Sequence, residues 1–234
     1  MHHFRAPDAR RFTSASLMIG IAFVIFGASF GVLSVSAGAS VAQSCAMSLL
    51  VFTGASQMSA VSVIASGGTV ASAFGGAVLL SGRNAVYGLA MSPVLKQGSL
   101  ASRLLGAQWV IDETTAVVSA ETDPATRRTA FWISGAILYA SWNIGTLLGA
   151  LVGSSINPSD FGLDAAFPVM FTAMIAPHLR TSAGRKAALF GAVAAVALAP
   201  FMPIGLPILV SALGMLFGLS PTSDESTAMT DGAT

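Results

Sequence analysis

Two short polar stretches lie inside apolar sequence and constrain what this chain can become. One is Gly82-Arg83-Asn84-Ala85-Val86-Tyr87-Gly88. The other is Trp109-Val110-Ile111-Asp112-Glu113. A soluble domain would place such groups on a charged surface, with about a quarter of its residues charged. Only 9% of this chain is charged, and 54% is hydrophobic. The chain therefore belongs in a bilayer, where each charged side chain at depth costs roughly 2.5–3.5 kcal/mol on insertion scales. Charges kept at that cost are normally used. They mark a polar site between helices, and the other spans are expected to hold it.

A helical span needs about 20 largely apolar residues. Read at that length, the chain is all-α, a polytopic transmembrane helix bundle of seven or eight spans. It forms one membrane domain, residues 1–220, and a polar tail, 221–234, expected to be disordered. The spans fall at about 18–37, 41–65, 70–95, 104–120, 130–153, 162–179, 187–201 and 204–219. Asp112 and Glu113 interrupt the fourth, which is either a full crossing or not. Without it the count is seven and the C-terminus changes side. Arg5, Arg10 and Arg11 ahead of an apolar run, with Ser36-Ala37-Gly38-Ala39 behind it, have the outline of a secretory signal. Further spans follow at once, so residues 18–37 are read as a retained helix.

Small residues mark close helix contacts. Gly27 and Gly31 stand four apart in the first span, and Gly145, Gly149 and Gly153 repeat that spacing in the fifth. This is the small-xxx-small pattern that lets backbones approach. Gly82 beside Arg83 predicts a third helix that is broken or kinked. Pro200, Pro203 and Pro207 interrupt the last two spans. Phe52-Thr53 echoes Phe171-Thr172, and Phe74-Gly75-Gly76-Ala77-Val78 echoes Phe190-Gly191-Ala192-Val193. Paired segments interrupted at matching places point to a repeat-built transporter with its site at the breaks. Parallel and inverted halves both fit. Cationic loops orient the bundle. With eight spans and a cytoplasmic N-terminus, the inside receives Arg5, Arg10, Arg11, Arg127, Arg128, Arg180, Arg185 and Lys186. The outside receives Lys96 and Arg103.

Arg83 is fixed in charge, and its planar fork suits a carboxylate. Its partner is either a substrate or an internal acid, Asp112, Glu113 or Asp164. Asp112 and Glu113 are adjacent, so on one helix they point about 100° apart. Either they carry a coupling proton at membrane depth, or they start a helix at the interface, where the dipole favours acids. Asp164 reads first as a helix cap. Ser29, Ser56, Gln57, Asn84, Tyr87 and Asn143 lie inside spans, where a polar residue is more often helix-helix glue than a ligand. Phe52, Phe171 and Met170 suit either an apolar pocket or ordinary packing. One cysteine, Cys45, leaves no internal disulfide, and His2, His3 and His178 do not cluster, so neither a metal nor another cofactor is expected. No nucleophile turn, zinc motif or phosphate loop is present, so an enzyme is not expected. A net charge of +1 gives no footprint for nucleic acid.

Several stretches taken together resemble the AzlC family, the large subunits of bacterial branched-chain amino acid exporters. They are Phe26-Gly27-Ala28-Ser29-Phe30-Gly31, Phe52-Thr53-Gly54-Ala55-Ser56-Gln57, Arg83-Asn84-Ala85-Val86-Tyr87-Gly88, Asp112-Glu113, and Gly162-Leu163-Asp164 with Phe167-Pro168. The resemblance covers about residues 15–220. Asn84 departs from the histidine of many members, so a proton role at that position does not carry over. The resemblance implies an inner-membrane secondary transporter that exports valine, leucine, isoleucine and sometimes methionine, driven by the proton gradient. It also implies a small AzlD-type membrane partner of about four spans. A channel or other small-solute permease, and an accessory membrane protein, are the readings it competes with.

Overall fold

The computed structural model describes residues 6–96, 98–155, 172, 175–176, 178–204 and 206–218. Among these residues the fold is all-helical, with no strand. The helices are α1 (Ala6–Ser36), α2 (Val41–Leu50), α3 (Ala55–Ala65), α4 (Val70–Leu95), α5 (Leu100–Gln108), α6 (Asp112–Ser119), α7 (Pro124–Gly153), α8 (Ser182–Leu198) and α9 (Leu206–Ser211). Short 3₁₀ segments cover His178–Arg180 and Ala212–Gly218.

Helices α1 and α7 are the spine. Both are long and apolar enough to cross a membrane, over Ala9–Ser36 and Pro124–Gly153. They run parallel and nearly in contact along their backbones. A methyl group added at Gly27 would lie 2.4 Å from the Trp142 carbonyl oxygen, and one at Gly31 would lie 2.2 Å from that of Thr146. From the other side, Gly145 and Gly149 leave 2.2 Å and 2.0 Å to the carbonyls of Val24 and Ala28. The two glycine series expected from the sequence therefore pack against each other. Without a hydrophobic driving force between helices in lipid, this close approach is what joins them.

The second segment departs from the expected single span over 41–65. Helix α2 begins beside the C-terminal end of α1, where Ser44 Oγ donates to Ser34 Oγ at 2.8 Å. It descends along α7 until the Tyr139 hydroxyl donates to Leu49 O at 2.8 Å. There Gly54, with φ at +49°, turns the chain back. Gln57 Nε2 reaches Met47 O at 3.2 Å; in a straight helix residues ten apart would be about 15 Å apart. Helix α3 then returns antiparallel to α4, with Ser56 and Ser81 hydroxyls 2.9 Å apart. The segment is a re-entrant hairpin, not a crossing.

The third segment, expected to break at Gly82, is one continuous helix of 26 residues. A methyl at Gly82 would meet nothing within 4 Å, so this glycine neither packs nor turns the chain. A single glycine costs a helix about 1 kcal/mol, too little to interrupt a ladder otherwise complete. Helix α4 ends beside the start of α7, with Pro93 and Val94 against Pro124, Arg127 and Arg128.

The fourth segment, expected at 104–120, is a second re-entrant pair entering from the opposite end. Helix α5 climbs to mid-bundle, where Gln108 Nε2 donates to Leu49 O at 3.1 Å. Helix α6 starts there at Asp112 and descends to Val118, which packs with Phe12 and Met91. Glu121 beyond it pairs with Arg11. The unit α1–α2–α3 is thus followed by α4–α5–α6 with its directions inverted, and the two hairpin tips meet at the centre.

This topology changes the charge map. Lys96 follows α4 and Arg103 lies in α5, so both share one end with Arg10, Arg11, Arg127 and Arg128. They do not lie on the opposite side, as uninterrupted second and fourth crossings would require. That end is called the basic end below. Helix α8 runs away from its Arg185 and Lys186, antiparallel to the chain from Ile204 through the last 3₁₀ segment. Ile204 and Leu209 of that chain lie against Gly68 and Gly75. Most of the expected sixth span at 162–179, the tail at 221–234 and Phe171 of the expected echo lie outside the described residues.

Candidate functional site

Each hairpin tip exposes helix ends in the bundle interior, where the unpaired groups at those ends need partners. At the C-terminus of α2 they are met by side chains. Leu49 O accepts from Tyr139 and Gln108, and Met47 O accepts from Gln57. At the start of α6, Thr114 Oγ1 accepts from Ile111 N at 3.1 Å and donates to Trp109 O at 2.8 Å. Asp112 and Glu113 occupy the first turn of that helix, as the dipole favours. The start of α3 is different. Its N-cap is Gly54, no side chain caps it, and no acid stands in its first turn.

Both tips open onto a cavity of about 340 Å³, within the usual range for small-molecule sites. Its walls are Ile19, Ala22, Phe23 and Phe26 of α1, Phe52 to Ala55 of the first tip, Ile111 to Glu113 of the second, Arg83 and Asn84 of α4, and Trp142 of α7. Phe23, Phe52, Ile111 and Trp142 belong to the main apolar core. The cavity therefore has an apolar wall on one side and a charged one on the other.

Arg83 sits at the midpoint of α4, and its Nη1 donates to Asp112 Oδ2 at 2.6 Å. The pair is single-pronged. Arg83 Nε and Asp112 Oδ1 are buried and make no hydrogen bond, and the same is true of Thr53 Oγ1 and Trp142 Nε1. All four atoms belong to residues lining the cavity. Buried polar atoms are normally paired, and these four unpaired atoms all belong to residues around one cavity. Two are donors, one is a carboxylate oxygen, and the hydroxyl serves either way.

The sequence-expected residues divide clearly. Arg83, Asn84, Asp112 and Glu113 line the cavity. The alternatives for the acids merge, because they do start a helix, but one that starts inside the bundle beside Arg83. Tyr87, one turn along α4, has its hydroxyl against the Asp112 carboxylate, with Glu113 and Arg83 close by. Ser56 is occupied with Ser81, Gln57 is turned toward Met47, and Ser29 bonds Ile25 O of its own helix at 3.1 Å. These three are not among the cavity-lining residues. Asp164, Met170 and Phe171 lie outside the described residues. Sequence reasoning missed Trp142, Phe23, Thr53 and the turn at Gly54. A glycine after Phe-Thr in mid-span was the one available signal. Nothing local distinguishes Trp142 from a packing tryptophan.

Residues 18–156 match the family described as AzlC protein. The Escherichia coli K12 protein named "Inner membrane protein YgaZ" is 28% identical over 206 residues, 82% of this chain and 84% of that protein. A Helicobacter pylori 26695 protein named "Uncharacterized membrane protein" is 25% identical over 226 residues, 93% of this chain and 97% of its own. No solved structure matches significantly. A family match over more than half of the sequence, and relatives named as membrane proteins that align over most of their length, agree with the apolar bundle and its central charges: the chain belongs to the AzlC family of membrane proteins.

Proposed function

We propose that the protein is the large subunit of an inner-membrane secondary transporter that exports branched-chain amino acids. It would act with a small AzlD-type membrane partner and draw on the proton gradient, without enzymatic chemistry or a cofactor. The observation that carries the reading is the cavity between the two inverted hairpin tips, with an uncapped helix start, a half-satisfied ion pair and an aromatic wall. Sites of this construction suit small zwitterions at mid-membrane. The substrate carboxylate meets the amides at the start of α3, where the dipole favours an anion. The ammonium meets Asp112 Oδ1 or Glu113. The side chain lies against Phe23, Phe52, Ile111 and Trp142. An apolar wall separates ligands differing by one methylene by only about 1–3 kcal/mol, which suits overlapping valine, leucine, isoleucine and methionine. Cations gathered at one end favour that end in the cytoplasm, with the N-terminus.

The test is efflux of labelled valine from loaded bacterial cells, with and without the small subunit. Partner-dependent efflux that collapses when the proton gradient is dissipated supports the reading. If no branched-chain amino acid or methionine leaves faster with both subunits than with neither, the reading is wrong. A channel would show flux that never runs against a gradient.

A further inference from the structure

A second cleft lies at the basic end, away from the transport cavity. It is about 80 Å³ in volume and is formed by Pro93 and Val94 at the end of α4 and Pro124, Arg127 and Arg128 at the start of α7. Its lining joins Pro93, Val94 and Pro124 to two arginines adjacent in the sequence, Arg127 and Arg128. Neither arginine has an ion pair among the described residues, and Arg127 Nε is buried without a hydrogen bond. The α7 N-terminus is already capped, since Asp123 Oδ2 accepts from Thr126 N at 2.8 Å. The capacity for an anion therefore comes from the arginines rather than from the helix end. Along the same face of α4, Val86 is 64% exposed and Leu89 77%, at helical spacing from Pro93. Two arginines beside an exposed apolar track suit a lipid, headgroup and chain, and six cations among the described residues share this end of the bundle.

We propose that this cleft binds the phosphate of an anionic phospholipid through Arg127 and Arg128, with an acyl chain along Val86 and Leu89. Arginine suits phosphate because two of its N–H groups meet two oxygens at once, and cationic pockets at the anionic leaflet are known to select such headgroups. Residues 93–94 and 127–128 are tied through the lipid, so the headgroup would fasten α4 to α7 at the basic end.

The test uses the full chain purified in a neutral detergent, with phosphatidylglycerol, phosphatidylcholine or inorganic phosphate added and retained lipid read by native mass spectrometry. Phosphatidylglycerol should be held preferentially. Arg127→Gln with Arg128→Gln should weaken its retention at least tenfold. Arg10→Gln with Arg103→Gln, which removes the same charge from the same end, should weaken it less than threefold. Equal losses in the two double variants overturn the proposal, because the attraction is then diffuse. So does equal retention of phosphatidylcholine, or displacement of phosphatidylglycerol by an equal concentration of inorganic phosphate, which marks a free-anion site. If the first double variant no longer elutes as one species, Arg128→Gln alone decides: a loss of threefold or more supports the cleft and an unchanged affinity rejects it.

Discussion

Arg83 and Asp112 join the middle of an unbroken helix to the first residue of a half-helix, 29 positions apart, through one hydrogen bond of 2.6 Å. The bond fixes the second hairpin tip against α4 and leaves one oxygen and one nitrogen of the pair without partners. Arg83→Ala and Asp112→Asn should each lower efflux at least tenfold with the protein still inserted. The Arg83→Ala, Asp112→Asn double variant should lose much less than the product of the two, since each single change strands the other charge. Valine efflux normalised to protein in the membrane measures this, and multiplicative losses would show that the two residues act separately.

The turn at Gly54 needs a backbone that other residues adopt only with strain, at φ +49°. Gly54→Ala should cost about 1–3 kcal/mol at the tip, because φ +49° with ψ −84° is a region that residues with a Cβ rarely adopt. The affected backbone faces the cavity, so transport should suffer more than abundance. Gly82→Ala is the control: nothing lies within 4 Å of the added methyl, the helix is regular there, and stability should be unchanged or higher. Thermal unfolding of the two purified variants, beside their efflux rates, separates the roles of the two glycines.

The α1–α7 spine tolerates no side chain at its crossing. A methyl at Gly149 would stand 2.0 Å from the Ala28 carbonyl. Gly149→Leu should force the backbones apart and destabilise the fold by more than the roughly 1–3 kcal/mol of ordinary overpacking. Loss of a single elution peak in detergent is the expected result. Full retention of stability would mean that the two helices do not pack in this way.

Re-entrant hairpins make a sharp prediction about sidedness. In a chain with Cys45 replaced by alanine, cysteines placed at Arg11, Lys96, Arg103 and Arg127 should all react with an impermeant thiol reagent from one face. Cysteines at Gly38 and Gly67 should react from the other. Uninterrupted second and fourth crossings would instead put Lys96 and Arg103 with Gly38, and Gly67 with Arg11 and Arg127.

The hydroxyl of Tyr139 and the amide of Gln108 close off Leu49 O at the end of α2. Tyr139→Phe should cost about 1 kcal/mol, the usual net worth of one hydrogen bond. The same change in a Gln108→Ala background should cost more, because the carbonyl is then left with neither partner. A thermal-melt comparison of the single and double variants reads the difference.

The sequence by itself determined the membrane class, the helical content and the glycine faces of α1 and α7, and it nominated Arg83, Asn84, Asp112 and Glu113 as polar residues within apolar sequence. These follow from composition and local spacing, since burying charge in lipid is costly and small residues at four-residue intervals can only mean close helix contact. Tertiary structure decided what periodicity cannot express. An apolar run of 25 residues reads the same whether it crosses the bilayer or turns back at Gly54, because the return depends on Gln57 meeting Met47 and Tyr139 meeting Leu49. Gly82 looked like the break and Gly54 is one, although each is a lone glycine in apolar sequence. What separates them is whether a distant side chain stands ready to satisfy the carbonyls that a break releases. The acids at 112 and 113 likewise start a helix, as their pattern allowed, but only the inverted second hairpin carries that helix start to the middle of the bundle, against Arg83.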